Sequence, residues 1–132
     1  MRKYAREVCL DLIFEYQFNA AERTSLDEEL FDKSKLTAED EAFVFDLYRG
    51  VLSHWEELKE TVGKYAKGYS VTRIYRVDLA ILMMAAYEIQ YTETGAAIIA
   101  NEAVELAKRF STENSVPFVN GVLAAMIREK NV

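Results

Sequence analysis

The apolar positions of this 132-residue chain recur at steps of three and four, the spacing of one face of an α-helix. Only one Pro and five Gly interrupt the pattern, which favours long helices over a β fold with many turns. The length fits one domain, residues 1–132. We therefore expect an all-α single-domain bundle of about seven helices, whose two halves meet near residue 70. The predicted helices are 3–19, 25–33, 37–53, 54–67, 76–90, 97–110 and 115–130.

Several helix ends carry their own signals. Ser25 with Glu28, and Thr37 with Asp40, have the form of a capping box, which predicts two helix starts. Gly68 is suited to end the helix at 54–67, because glycine adopts the left-handed conformation without strain.

The predicted helix at 76–90 is apolar on nearly every side, so we expect it to be the most buried element. Glu88 interrupts its apolar sequence. A buried acid paired with a basic or backbone group is favoured there over a binding role. Cys9, the only cysteine, falls on an apolar helical face and is expected to be buried.

Gly121 lies inside the last predicted helix, where glycine costs about 1 kcal/mol relative to alanine. Asn101 and Glu102 place polar groups near the apolar start of the preceding helix. A residue that weakens its own helix suggests that another group approaches closely. We therefore expect two helices to meet at Gly121.

The net charge of −6 argues against a general nucleic-acid binder, which usually carries a basic face. It does not exclude local RNA contacts, and it suits a basic protein partner. The single cysteine excludes an internal disulfide and fits a reducing cytoplasm. The chain opens without a leader-like segment, and its longest apolar run, 77–89, is too short to span a bilayer.

Catalytic and metal-binding patterns are weak. His54 is the only histidine, and the chain has no glycine-rich phosphate loop. Glu7, Asp11 and Glu15 recur every four residues, a pattern more typical of a solvated helix face than of a metal site. We expect neither an enzyme nor a cofactor.

Two clusters combine cations with aromatic residues. Arg2, Arg6, Leu10 and Phe14 form a slanting row on the first helix, with Lys3 beside its start. Such a row offers single-stranded RNA both phosphate neutralisation and a stacking surface. Phe14 is equally compatible with the core.

The second cluster, Arg73, Tyr75 and Arg76, lies in the predicted connector between the two halves. Its guanidinium groups are able to bind phosphates bidentately. The alternative is that both arginines pair with some of the 22 acidic residues of the chain.

The sequence also carries six short blocks: Ala5-Arg6-Glu7, Arg73, Val77 to Leu82, Tyr87-Glu88-Ile89, Asn101 to Lys108, and Phe118 to Leu123. Together these blocks resemble the NusB family of bacterial transcription antitermination factors. The last two blocks, in this order, are the most specific. The resemblance covers most of residues 5–129 and is weaker between 19 and 68.

The resemblance implies a seven-helix protein that is not an enzyme. It implies binding of the boxA segment of ribosomal leader RNA together with NusE, a small-subunit ribosomal protein, in the elongating RNA polymerase complex. The candidate RNA-binding residues are Arg2, Lys3, Arg6, Phe14, Arg73, Arg76 and Phe118, and the candidate partner-binding residues are Asp78 and Asn114.

Departures from the family pattern leave alternatives open. The basic N-terminus is short, and Leu79, Gly95 and Ala124 replace residues usual in relatives. One alternative is a helical module that binds NusE with weak or no RNA binding. Another is the NusB-like domain that precedes the catalytic domain in some ribosomal RNA cytosine methyltransferases. If the chain ends at Val132, it has no room for that catalytic domain. Self-association stays open.

Overall fold

The computed structural model describes residues 1–27 and 31–130. Within these ranges the chain forms six α-helices, two short 3₁₀ turns and no strand, which confirms the all-α fold. The predicted helix 25–33 lies partly outside the described residues, and Lys33–Lys35 forms a 3₁₀ turn instead of an α-helix. The helices are α1 (Arg2–Asn19), α2 (Ala38–Ser53), α3 (Trp55–Tyr65), α4 (Arg76–Tyr91), α5 (Ala96–Phe110) and α6 (Ser115–Lys130).

The centre of the fold is α4, which packs against each of the other five helices. Its side chains are apolar on nearly every side, and Ile81, Leu82 and Met83 are fully buried. The prediction that this helix is the most buried element is therefore confirmed. Cys9 of α1 is also buried, as predicted. No helix in the described part of the chain is long and apolar enough to cross a membrane.

The start of α2 is fixed by the predicted capping box. The Thr37 hydroxyl accepts from the Asp40 amide at 3.0 Å, and the Asp40 carboxylate accepts from the Thr37 amide at 3.1 Å. Arg2 donates to the same carboxylate at 3.2 Å. Gly68 follows α3 with a φ of 88°, a left-handed conformation that favours glycine. The helix itself ends earlier than predicted, at Tyr65 with Ala66 as its C-cap, so Gly68 lies in the turn after the helix.

Two glycines in helices have different surroundings. A Cβ at Gly50 of α2 would lie 2.2 Å from Cζ of Tyr87 in α4, so the Tyr87 ring lies against α2 where Gly50 has no side chain. A Cβ at Gly121 of α6 would meet nothing within 4 Å. The prediction of a helix contact at Gly121 is therefore wrong, and the close approach lies at Gly50.

Candidate nucleic-acid interface

Arg6 does not lie on the surface. Only 6% of the residue is exposed, and its guanidinium donates to Glu88 of α4 at 2.8 and 3.3 Å. The predicted surface row is therefore wrong at Arg6, and also at Leu10, which is 3% exposed. Glu88 is the buried, paired acid that its sequence context indicated. We remove Arg6 from the candidate RNA-binding residues.

The exposed face of α1 follows a different row. Lys3, Phe14 and Phe18 fall on one side of the helix by its geometry. Lys3 is exposed, and no described residue forms an ion pair with it. Phe14 is half-buried and meets Phe18 edge to face, with ring centroids 5.1 Å apart. Phe18 is 61% exposed, so α1 presents a real aromatic surface.

The start of α4 lies beside these rings. The Gln17 side chain donates to the Arg76 carbonyl at 2.9 Å, which brings the end of α1 to the start of α4. The Arg76 guanidinium then lies over the Phe18 ring, 5.2 Å from its centroid. In this cation–π contact the Arg76 side chain stays exposed. It has no acidic partner among the described residues.

An open pocket of about 210 Å³ continues the same surface beyond Tyr75. Its rim carries Arg73 and Asn114, both exposed, and three aromatic rings. Tyr69 and Phe118 meet edge to face at 5.1 Å, and Tyr75 is 58% exposed. The volume lies below the roughly 300–1,000 Å³ typical of small-molecule sites, so the pocket suits one flat group better than a whole substrate.

Asp78 lies at the base of this pocket and is 4% exposed. Its two carboxylate oxygens accept from the hydroxyls of Ser111 at 2.6 Å and Ser115 at 2.8 Å. These bonds tie the loop between α5 and α6 to the start of α4. Asp78 therefore positions the loop that carries Asn114, and a direct contact of Asp78 with a partner stays a prediction.

The charges on this surface differ from those of the whole chain. Lys3, Arg73 and Arg76 are exposed cations with no acidic partner among the residues described. Arg2, in contrast, pairs with Asp40 and lies 4.2 Å from the centroid of the Phe43 ring, so it is held toward α2. We define the aromatic-basic surface as Lys3, Phe14, Phe18, Tyr69, Arg73, Tyr75, Arg76 and Phe118.

A family model described as the NusB family matches residues 3–128. The chain belongs to the NusB family. Its relatives include the transcription antitermination protein NusB of Campylobacter jejuni (strain 81-176), 35% identical over 129 residues and covered for 97% of its length, with 98% of this chain matched. The protein of the same name from Acetivibrio thermocellus is 35% identical over 130 residues, which cover 98% of this chain and 90% of the relative.

A solved structure supports the same family fold. T. maritima NusB superposes with a TM-score of 0.84 and 26% identity, covering 98% of this chain and 92% of that one. The six-helix arrangement described above is therefore the NusB arrangement, with α4 at its centre.

The sequence prediction left three aromatic residues of this surface out of the candidate RNA-binding residues, although it placed Tyr75 in the connector cluster with Arg73 and Arg76. Phe18 follows Phe14 by one helical turn, a spacing that could have identified it. Tyr69 follows Gly68, and Tyr75 adjoins Arg76. These two lie in the connector, where helical periodicity gives no indication of which side chains face solvent.

A second groove, of about 430 Å³, lies on another side of the bundle. Its cation Lys64 pairs with Glu129 at 2.8 Å, and Lys130 donates to the Ile89 carbonyl. Because these cations already have partners, the groove offers an anionic ligand less than the aromatic-basic surface does. His54 pairs with Glu57 at 3.1 Å and stacks on Tyr91 at the protein surface.

Proposed function

We propose that the chain is a transcription antitermination factor that binds boxA-type single-stranded RNA together with NusE, in the RNA polymerase elongation complex that transcribes ribosomal RNA. The names of its relatives support antitermination. The RNA component rests on the geometry of the aromatic-basic surface, and the NusE component on family membership and charge.

The observation that carries the RNA proposal is the placement of unpaired cations beside exposed rings. Single-stranded nucleic acid is bound by cations that neutralise phosphates and by aromatic rings on which bases stack, each base contributing about 1–3 kcal/mol. Arg76 over Phe18 supplies both groups within 5.2 Å. Arg73 beside Tyr75 and Tyr69 supplies them again at the pocket.

We infer a path for the strand along the same surface. Phosphates would lie along Arg76 and Arg73, while bases stack on Phe18 and Tyr75. The pocket lined by Tyr69 and Phe118 would take a further base.

The net charge of −6 supports a basic partner protein. A ribosomal protein such as NusE is basic because it binds ribosomal RNA in its other role. Asn114 remains a candidate partner contact, since it is exposed on the loop that Asp78 positions. A partner that contacts this loop would lie next to the RNA, as joint binding requires.

The test is a titration of fluorescent boxA-type RNA with the protein, with and without NusE, at two salt concentrations. A scrambled RNA of the same length is the control. We expect tighter binding of the boxA-type RNA, strengthened by NusE. The affinity should fall with salt at a logarithmic slope of about 0.7 for each phosphate neutralised. Equal affinity for both RNAs, or no binding under any condition, would reject the proposal.

One observation favours a second function, a protein module that binds NusE without RNA. Of the three N-terminal cations, Arg6 is buried and Arg2 pairs with Asp40, which leaves Lys3 alone. A NusE complex that forms normally but adds nothing to RNA affinity would support this second function instead.

A further inference from the structure

Arg109, in the last turn of α5, forms an ion pair with Glu7 of α1. The two side chains differ in accessibility, because 55% of the Arg109 side chain is exposed and only 10% of Glu7. By helix geometry, Glu7 lies on the same side of α1 as Lys3 and Phe14. The ion pair therefore brings the end of α5 beside the face of α1 that belongs to the aromatic-basic surface.

Arg109 also repeats a contact seen at the proposed RNA site. Its guanidinium lies over the ring of Phe110, 5.1 Å from the centroid, and Phe110 is 43% exposed. Arg76 lies over Phe18 at 5.2 Å in the same way. One of these cation–ring units is joined to α1 at Glu7 and the other at Gln17, roughly 15 Å apart along the helix.

The two units differ in charge. Arg76 has no acidic partner among the described residues, whereas the charge of Arg109 is balanced by Glu7. A guanidinium has five N–H donors, so a carboxylate on one edge leaves donors for a phosphate. The negative charge of the carboxylate nevertheless opposes the approach of that phosphate.

We propose that Arg109 and Phe110 form a second binding point for the same RNA strand, and that Glu7 weakens this point by competing with phosphate for Arg109. The inference rests on the proposed RNA-binding function. It extends the aromatic-basic surface to the end of α5. It also means that the Glu7 carboxylate lowers the affinity for RNA.

The experiment measures the affinity of full-length chains for fluorescent boxA-type RNA by anisotropy at two salt concentrations. Arg109→Gln should weaken binding and lower the logarithmic salt slope by about 0.7. Glu7→Gln should tighten binding. Phe110→Leu should weaken binding with an unchanged salt slope, because it removes a stacking face and no charge. In the double variant Glu7→Gln with Arg109→Gln, the gain in RNA affinity from Glu7→Gln should disappear.

Glu15→Gln is the matched control, because Glu15 also lies on α1 and pairs with an arginine, Arg23, at 2.8 Å. An equal rise in affinity for Glu15→Gln and Glu7→Gln would assign the effect to net charge and overturn the inference. So would unchanged or weakened binding by Glu7→Gln. Loss of binding by Arg76→Ala with no effect of Arg109→Gln would reject the second binding point alone. Absence of RNA binding by the unmodified chain would reject the proposed function with it.

Discussion

Arg6 donates to both carboxylate oxygens of Glu88, at 2.8 and 3.3 Å, and so joins the start of α1 to the end of α4. Both side chains are buried, and the Arg6 guanidinium also lies 5.1 Å from the centroid of the Phe43 ring. The pair explains why an acid interrupts the most apolar helix of the chain. Because Arg6 is buried in this pair, we assign it a structural role in the core and no contact with RNA.

The first prediction concerns this pair. Arg6→Ala leaves the Glu88 carboxylate buried without a counter-charge, and such changes lower the free energy of unfolding by about 3–5 kcal/mol. We expect this loss in urea unfolding followed by circular dichroism.

The control for that prediction removes both charges at once. A double variant of Arg6→Met and Glu88→Leu replaces the pair with apolar side chains, which is often neutral for stability. It should therefore be clearly more stable than Arg6→Ala. If Arg6→Ala unfolds at the same urea concentration as the unmodified chain, the buried pair does not contribute as described.

Gly50 and Gly121 give a second prediction, in which the same substitution has opposite effects on stability. Gly50→Ala places a methyl group against the Tyr87 ring and should destabilise the protein by about 1–3 kcal/mol. Gly121→Ala adds a methyl group in open space and should stabilise the protein by up to about 1 kcal/mol through helix propensity. Thermal melts of both variants check the pair. Destabilisation by Gly121→Ala would show that something packs at that position.

A third prediction concerns acid stability. The pKa of Asp40 is held well below its ordinary value, first by the α-amino group of Met1, then by the Thr37 amide and Arg2. A lowered folded-state pKa contributes stability above the ordinary value near 3.8, and this contribution is lost as the pH falls. The melting temperature should therefore drop less between pH 5 and pH 2 in Asp40→Asn than in the unmodified chain.

Glu39→Gln is the control for the Asp40 variant, because Glu39 is an exposed acid in the same first turn of α2. Its melting temperature should follow that of the unmodified chain across the pH range. Parallel pH profiles for Asp40→Asn and the unmodified chain would mean that the charge of Asp40 does not contribute to acid stability.

The sequence predicted most helices because their apolar spacing is local. The capping box at Thr37 and the central position of α4 followed from the same local information. Arg6 was misplaced, although Cys9, Leu10 and Ile13 continue its side of the helix at three, four and seven residues and are all buried. That spacing, together with an acid in α4 that needed a partner, could have indicated the core.

The surroundings of Asp78 could not be predicted in this way. Its hydrogen-bond partners, Ser111 and Ser115, lie 33 and 37 residues further along the chain. Only the packing of α4 against α5 and α6 brings them together. The pocket aromatics Tyr69 and Phe118 meet for the same reason, since one belongs to the connector and the other to α6.

The central claim is that the aromatic-basic surface binds RNA, and the most direct test compares arginines on different faces. Arg76→Ala should weaken boxA-type RNA binding and lower the logarithmic salt slope by about 0.7, because one unpaired cation is lost. Arg128→Ala, an exposed site in the last turn of α6, removes the same charge away from that surface and should leave both quantities nearly unchanged. Equal losses in the two variants would contradict a localised RNA site.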